Sequence, residues 1–208
     1  MKKLQKGPIP SILTHRGFEL TETYKANPKS APWRNDELKD ALRNETAGKC
    51  AYCESSIEDV APAHVEHIQP KSLFPDLVMK WSNLTLCCPV CNSNKGDYYS
   101  LKAALLNPYV DDPSDHITFL GAFAWSKPSS LRGDTTIRKL QLNRTKLLEE
   151  REGLLKSIHV LLIAWANTED DQVRSIMHES IMGLVSPQKP YNTLSLAFIE
   201  YFGEFTLE

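Results

Sequence analysis

Two pairs of cysteines with the same short spacing constrain this chain more than any other feature. Two residues separate Cys50 from Cys53, and the same spacing recurs between Cys88 and Cys91. Two thiolates on one tight turn can bind one face of a tetrahedral metal ion, so two such turns form a closed four-cysteine zinc site. The sequence therefore predicts a finger that folds around one structural zinc ion.

Other uses of these cysteines are less favoured. A redox pair would need a strand before it, a helix after it and no second pair. Disulfides are not expected, since the N-terminus does not resemble a secretory signal and a reducing cytosol keeps thiols free. The fifth cysteine, Cys87, has Val90 where a partner at this spacing would stand, so we predict a free thiol.

Polar residues are concentrated between and just after the two cysteine pairs. The intervening segment is 34 residues long, more than in the shortest zinc ribbons, so it must form structure of its own. A short strand is predicted over residues 64–67, with His64 and Glu66 on one face and Val65 and His67 on the other. Pro70 would end that strand. Further polar residues flank the second cysteine pair: Asn83, Asn92 and Lys95.

This combination resembles the HNH nuclease family, whose fold is a ββα-metal finger. The resemblance implies that His67 is the general base, Glu66 the acidic metal ligand beside it, and Asn92 the second metal ligand. Asn83 would brace the loop and the base without binding metal. Lys95 matches a basic position that can meet a substrate phosphate. These residues are expected to hydrolyse phosphodiester bonds.

Two departures from the family pattern bear on the catalytic metal. Glu66 stands where aspartate is commoner, and Asn92 stands where many members have histidine. Two oxygen ligands favour a hard ion, so Mg²⁺ or Mn²⁺ is expected at the catalytic position, beside the structural Zn²⁺. His64, on the strand face of Glu66, is predicted to support the site or contact phosphate, in preference to merely facing solvent.

A wider set of motifs, over about the first 110 residues, resembles the retron-associated HNH endonucleases and the HNH subunit of Septu anti-phage systems. The resemblance implies an ABC-type ATPase partner and, in retrons, a reverse transcriptase with multicopy single-stranded DNA. Either DNA or RNA is a candidate substrate, because an HNH site reads a phosphodiester and not a base. The motifs are Lys6–Pro10, Gly48–Glu54, His64–His67, Pro70–Ser72, Phe74-Pro75, Trp81–Leu84 and Cys91–Asp97.

Charge bears on how such a nuclease would act. The net charge is −2, although affinity for phosphate backbones rests on Lys and Arg. Before Cys50 there are ten Lys and Arg against six Asp and Glu, or +4, which leaves −6 for the remainder. One explanation of this charge distribution is that a partner protein supplies affinity for nucleic acid. Another is ordinary variation of charge over the surface. Two competing functions stay open: a non-catalytic zinc module that docks on nucleic acid or protein, and a stand-alone restriction-type nuclease.

The predicted fold class is α+β, mainly α, with three segments. Residues 1–34 are expected to be an extended N-terminal arm, since their prolines exclude one continuous helix. Residues 35–106 would hold the HNH domain, entered by a helix capped by Asn35. Residues 107–208 would be mostly helical, with a short strand within residues 117–125 and then either one amphipathic helix or two helices joined near Asn143.

A cytoplasmic protein without a membrane segment is expected. The longest apolar run, residues 158–166 with His159 inside it, is far shorter than the roughly 20 residues that a membrane span needs. The hydrophobic content of 41% suffices for a packed core.

Overall fold

A computed structural model of the chain describes residues 1–57, 63–202 and 205. The predicted HNH domain also includes residues 58–62, and the predicted C-terminal region includes residues 203–204 and 206–208; these lie outside the described residues. The described chain is mainly helical with two small sheets, which confirms the predicted class. Its elements are α1 (Ser11–Ala26), α2 (Asp36–Thr46), β1 (His64–His67), β2 (Leu84–Cys87), α3 (Pro89–Lys95), β3 (Ile117–Leu120), β4 (Phe123–Ser126), α4 (Leu131–Lys139), α5 (Thr145–Ala166), α6 (Asp171–Leu184) and α7 (Asn192–Phe202).

The two cysteine pairs enclose a β-hairpin followed by a helix. Strands β1 and β2 pair antiparallel, with His64 opposite Cys87 and His67 opposite Leu84. Helix α3 follows at once, because the Cys88 sulfur caps its first turn and Pro89 stands at the first helical position, where no N–H is needed. The chain thus forms the predicted ββα finger.

The predicted extended arm is correct for residues 1–10 and wrong for the helix α1, Ser11–Ala26. Prolines are absent from residue 11 to residue 27, and this stretch is long enough for a helix of 16 residues. Pro10, directly before it, has the fixed φ that suits a helix entry. The prolines therefore limit the helix without preventing it.

The first residues of the arm are docked on the finger. Lys6 lies 3.9 Å from the Trp81 ring centroid, pairs with Glu45 at 3.0 Å and donates to the Leu84 carbonyl at 2.6 Å. Trp81 in turn donates its indole N–H to the Gly7 carbonyl at 3.0 Å. These contacts place the arm against its own chain.

The entry helix forms as the sequence predicts. The Asn35 side chain accepts a hydrogen bond from the Leu38 N–H at 3.1 Å, and Leu38 and Leu42 are buried on one face. The chain leaves the helix through Ala47 and Gly48, both with positive φ, which turns it into the first cysteine pair.

Two hydrophobic clusters divide the core. The larger contains residues from the arm, the finger and the C-terminal region, and the first half of α5 contributes Leu147 and Leu155. The second half of α5 packs on α6 and α7 in a smaller cluster that includes Ile158, Leu162 and Ile181. One long helix therefore joins the finger to the C-terminal helices.

The rest of the C-terminal region follows the predicted pattern with one difference. Of the two arrangements left open near Asn143, the structure has two helices, since α4 ends at Lys139 and α5 begins at Thr145. The predicted single strand is a hairpin of β3 and β4, because Gly121 turns the chain with a φ of 56°. No helix within the described residues is long and apolar enough to cross a lipid bilayer.

Candidate active site and zinc centre

The four predicted zinc ligands converge at one point. The sulfur atoms of Cys50, Cys53, Cys88 and Cys91 all lie within 4.8 Å of one another, and those of Cys53 and Cys88 are 3.9 Å apart. A tetrahedral ion with Zn–S bonds of about 2.3 Å requires sulfur atoms about 3.8 Å apart. The four thiolates therefore fit a structural Zn²⁺, while Cys87, buried on β2, is outside this group.

Arg144 adds a positive charge to this centre. Its guanidinium lies 3.6 Å from the Cys53 sulfur, 3.7 Å from the Cys91 sulfur and 3.9 Å from the Cys88 sulfur. Four thiolates around one Zn²⁺ carry a net charge of −2, which a neighbouring guanidinium partly neutralises. Sequence reasoning missed Arg144, because it lies 53 residues beyond Cys91 and no motif links the two.

Replacing Arg144 by alanine is expected to weaken zinc binding about 10- to 100-fold, because outer-sphere groups commonly contribute that much to metal affinity. Competition with a chromogenic zinc chelator would measure the change. Arg138→Ala is the matched control, since its side chain is 72% exposed and pairs with Asp134 on α4. Equal zinc affinity in both variants would contradict the role given to Arg144.

The candidate general base, His67, is buried and oriented by its neighbours. Its Nε2 lies 3.0 Å from the Val78 carbonyl oxygen, and its ring meets the Trp33 ring edge-on at 4.8 Å. A carbonyl oxygen only accepts, so this contact places the ring proton on Nε2 and leaves the lone pair on Nδ1. Burial lowers the pKa of His67 to about 3, and the charges of Lys71 and Lys95 act in the same direction. The imidazole is therefore neutral at pH 7.

The candidate acidic ligand, Glu66, lies next to the base and is 4% exposed. Lys95 pairs with one of its carboxylate oxygens at 2.6 Å and also donates to the His67 carbonyl at 2.7 Å. Burial raises the pKa of Glu66, although the positive charges of Lys95 and Lys71 oppose the shift.

The predicted contact between Lys95 and a substrate phosphate is wrong for this structure. Lys95 is 2% exposed, and its ammonium group is directed at Glu66 and at the backbone of β1. Its position in the last turn of α3 turns the side chain towards the strand and away from solvent. Lys95 fastens the helix to the hairpin.

Asn92 and His64 meet at the open side of the site. The Asn92 amide nitrogen donates to His64 Nδ1 at 2.9 Å, and the His64 side chain is exposed. Both residues line a cavity of about 390 Å³ together with Glu66 and His67. The structure thus brings the predicted base, both predicted metal ligands and His64 into one cavity.

Asn83 has the bracing contacts that were expected of it. Its amide oxygen accepts from the Gln69 N–H at 2.7 Å, and its amide nitrogen donates to the carbonyls of Gln69 and Leu77 at 3.1 Å each. All three of these hydrogen bonds are to the loop that joins β1 to β2. One partner, Leu77, directly precedes Val78, whose carbonyl orients His67. Asn83 is 4% exposed and does not line the cavity.

Replacing Asn83 by alanine is expected to lower the free energy of unfolding by about 2–4 kcal/mol, because three backbone groups lose their partner. Urea unfolding of the zinc-loaded protein would measure the loss. Asn94→Ala is the control and should cost about 1 kcal/mol, since the Asn94 side chain makes one hydrogen bond, to the Leu140 carbonyl. A loss no larger than the control's would exclude the bracing role.

Six further residues line the cavity and were not predicted to belong to the site: Trp33, Arg34, Lys39, Ala63, Val65 and Lys71. Lys71 stands in the Pro70–Ser72 motif, which marked it in the sequence without assigning it a role. Trp33, Arg34 and Lys39 precede the first cysteine pair, and no spacing connects them to the catalytic motifs.

Comparisons with known proteins agree with this geometry. A sequence model of the HNH endonuclease family matches residues 50–98, the part of the chain that contains both cysteine pairs and the ββα finger. These residues are an HNH endonuclease domain, a class of domain that hydrolyses phosphodiester bonds, as predicted.

Two curated relatives are both Septu proteins. The chain is 34% identical over 169 residues to the Septu protein PtuB of Bacillus thuringiensis, covering 75% of this chain and 65% of that protein. It is 26% identical over 261 residues to the Septu protein PtuB of Bacillus mycoides, covering 93% of this chain and 88% of that protein. The predicted resemblance to Septu HNH proteins is thereby confirmed, and the retron link stays a prediction.

Proposed function

We propose that this chain is a metal-dependent HNH endonuclease and the effector of a Septu-type anti-phage defence system in the cytoplasm. The observation that carries the proposal is the hydrogen bond between His67 Nε2 and the Val78 carbonyl, at 3.0 Å. It leaves Nδ1 of a neutral imidazole as the base, in the same cavity as Glu66 and Asn92. A purely docking zinc module has no need of an oriented base beside a carboxylate.

The residues of the cavity have different roles in hydrolysis. His67 Nδ1 takes the proton of the attacking water, and the Val78 carbonyl stabilises the imidazolium that results. A bound phosphodiester brings negative charge beside His67, which raises its pKa towards the range that suits a general base. Trp33, Lys95 and Asn83 keep the ring, the strand and the loop in place.

The oxygen donors of the cavity suit a hard cation. The carboxylate of Glu66 and the amide oxygen of Asn92 would hold Mg²⁺ or Mn²⁺, since such ions prefer oxygen ligands and octahedral geometry. When bound, the ion supplies positive charge to the phosphate and to the leaving oxygen. Zn²⁺ on the four cysteines would take no part in the chemistry.

A protein partner is part of the proposal. Large apolar side chains are exposed on the β3–β4 hairpin and on α7, among them Leu120, Trp125 and Tyr201. Leu120 and Tyr201 line one depression of the surface together with Phe202, and a contiguous exposed apolar patch favours a protein–protein contact. We assign this contact to an ABC-type ATPase that controls the nuclease, with a retron reverse transcriptase and its DNA as a further possibility to test.

The test is a cleavage assay on labelled plasmid DNA and bulk cellular RNA, with the zinc-loaded chain supplied with Mg²⁺, Mn²⁺ or excess EDTA. Cleavage is expected with Mg²⁺ or Mn²⁺ and not with EDTA, and the degraded polymer identifies the substrate. Cutting by the chain alone at full rate would favour a stand-alone nuclease. If the chain binds nucleic acid but cuts nothing, even with the neighbouring ATPase, the docking-module interpretation replaces this proposal.

A further inference from the structure

Three basic side chains line the same cavity as the candidate catalytic residues. Arg34, Lys39 and Lys71 line the same space of about 390 Å³ as Glu66 and His67. Arg34 is exposed, and Lys39 and Lys71 are partly exposed, so all three are open to a ligand that enters from solvent. We refer to these three residues as the basic wall.

The charges of the basic wall are largely uncompensated. Within residues 1–57, 63–202 and 205, neither Arg34 nor Lys71 has a carboxylate at ion-pair distance. In the described part of the chain, the one carboxylate at ion-pair distance from Lys39 is that of Asp36, at 4.0 Å, and the Asp36 side chain is 99% exposed, where ion pairs contribute little. The Glu66 carboxylate of the cavity is already paired with Lys95. Among the described residues, the lining of the cavity therefore offers basic groups without a close carboxylate partner beside the base.

Trp33 contacts both one residue of the basic wall, Lys71, and the candidate base, His67. The Lys71 ammonium lies over the Trp33 ring, 5.3 Å from its centroid. The same indole meets the His67 ring edge-on, with an angle of 84° between the two planes. These two contacts of Trp33 set the distance from Lys71 to the base. Because Lys71 covers a face of Trp33, the indole is a support and not a platform for a nucleobase.

Two of the three basic residues come from outside the matched HNH region. Arg34 stands in the turn before α2, and Lys39 lies on α2, whose start is fixed by the Asn35 cap. The segment 33–39 thus completes one side of a cavity whose catalytic groups all lie within residues 50–98.

We propose that Arg34, Lys39 and Lys71 form a sequence-independent binding site for the phosphates that flank the scissile bond of a nucleic acid. Guanidinium and ammonium groups bind phosphate oxygens without reading bases, so these contacts fix the position of the strand and not its sequence. The inference rests on the proposed nuclease function, because it places substrate phosphates beside His67. These three residues take over the phosphate contacts that were predicted for Lys95, which is buried.

Salt dependence of binding tests the basic wall. Labelled single-stranded DNA, double-stranded DNA and RNA would be titrated with the zinc-loaded full chain, without Mg²⁺ or Mn²⁺ so that cleavage is prevented and His67 is retained, between about 50 and 200 mM salt. Adding Arg34→Ala, Lys39→Ala and Lys71→Ala should reduce the slope of log K against log salt by about 2 to 3, since each lost phosphate contact removes about 0.7 to 0.9. Lys39→Arg with Lys71→Arg should keep the slope, because the charges remain.

The matched control removes the same number of charges elsewhere. Lys127→Ala, Lys146→Ala and Lys156→Ala, all exposed in the C-terminal region, should leave the slope unchanged. Equal slopes for the two triple variants would overturn the proposal, as would the absence of salt-dependent binding by the chain with its wall intact. Zinc content and thermal unfolding would show that both triple variants are folded.

The two proposals can fail separately. If the wall is needed for binding but the chain with His67 never cleaves, the nuclease function fails and a phosphate-binding site remains. If the chain cleaves nucleic acid but the triple variant of the basic wall binds it with the same salt slope as the unaltered chain, the nuclease function stands and the phosphate-binding role of the basic wall is excluded.

Discussion

Replacing His67 by alanine is expected to lower the rate of phosphodiester cleavage by about 100- to 10,000-fold, the usual contribution of a general base. The imidazole is the neutral, oriented group of the cavity: its Nε2–H is held by the Val78 carbonyl and its ring by Trp33. No other described histidine combines burial with a place among Glu66 and Asn92. Removing it leaves the attacking water without a base.

The assay for His67 needs a control for folding, since the ring is 4% exposed and packs on Trp33. Wild type, His67→Ala and His67→Gln would be compared on labelled plasmid DNA and RNA in Mg²⁺ at equal zinc content. His15→Ala is the matched histidine control, because His15 is exposed on α1 and bonds only the Ser11 carbonyl. Full activity in a folded His67→Ala variant would exclude His67 as the base and with it the proposed mechanism.

Replacing Cys88 by alanine, or stripping zinc with a strong chelator, is expected to unfold the finger. Structural Zn²⁺ contributes about 10–16 kcal/mol in small zinc domains, which equals or exceeds the whole stability of a typical domain, about 5–15 kcal/mol. Cys88 both offers a zinc ligand and caps α3, so its loss affects the metal and the helix together. The helix carries Asn92 and Lys95, so the cavity should be lost as well.

Cys87 supplies a control one residue away. Its thiol is fully buried but does not belong to the cluster of zinc ligands, so Cys87→Ala should keep the zinc and cost only about 1 kcal/mol. Zinc content by elemental analysis and thermal unfolding by circular dichroism would measure both variants. A zinc-free Cys88→Ala protein that unfolds at the wild-type temperature would contradict a structural role for the metal.

Local patterns account for the parts of the fold that were predicted correctly. Three such patterns are the repeated cysteine spacing, the Asn35 cap and the apolar positions of residues 137–165. Each pattern depends on residues that lie close together in the sequence. The zinc ligands, the entry helix and the helical character of residues 137–165 therefore follow from short stretches of chain, whereas the ββα fold of the finger was implied by the resemblance to the HNH family. The helix α1 was missed because prolines at both ends of the arm outweighed the proline-free stretch between them.

The residues of the candidate site likewise divide into those that the sequence identified and those whose role only the packing of the chain decided. The motif identified Glu66, His67, Asn83 and Asn92, and the chain places them around one loop and one cavity. The role of Lys95 was misjudged because a motif gives a residue's position but not its exposure. Only the packing of α3 against β1 decides that its ammonium group faces Glu66.

The sequence by itself determined the zinc ligands, the catalytic motif and the family, because each depends on residue types at fixed short spacings. Only the tertiary structure decided which further charges surround these groups. Arg144 reaches the thiolates from the start of α5, and Arg34 and Lys39 reach the cavity from the segment before the finger. Such contacts join residues far apart in the chain, and they form only when burial of the shared core fixes how the arm, the finger and the helices pack.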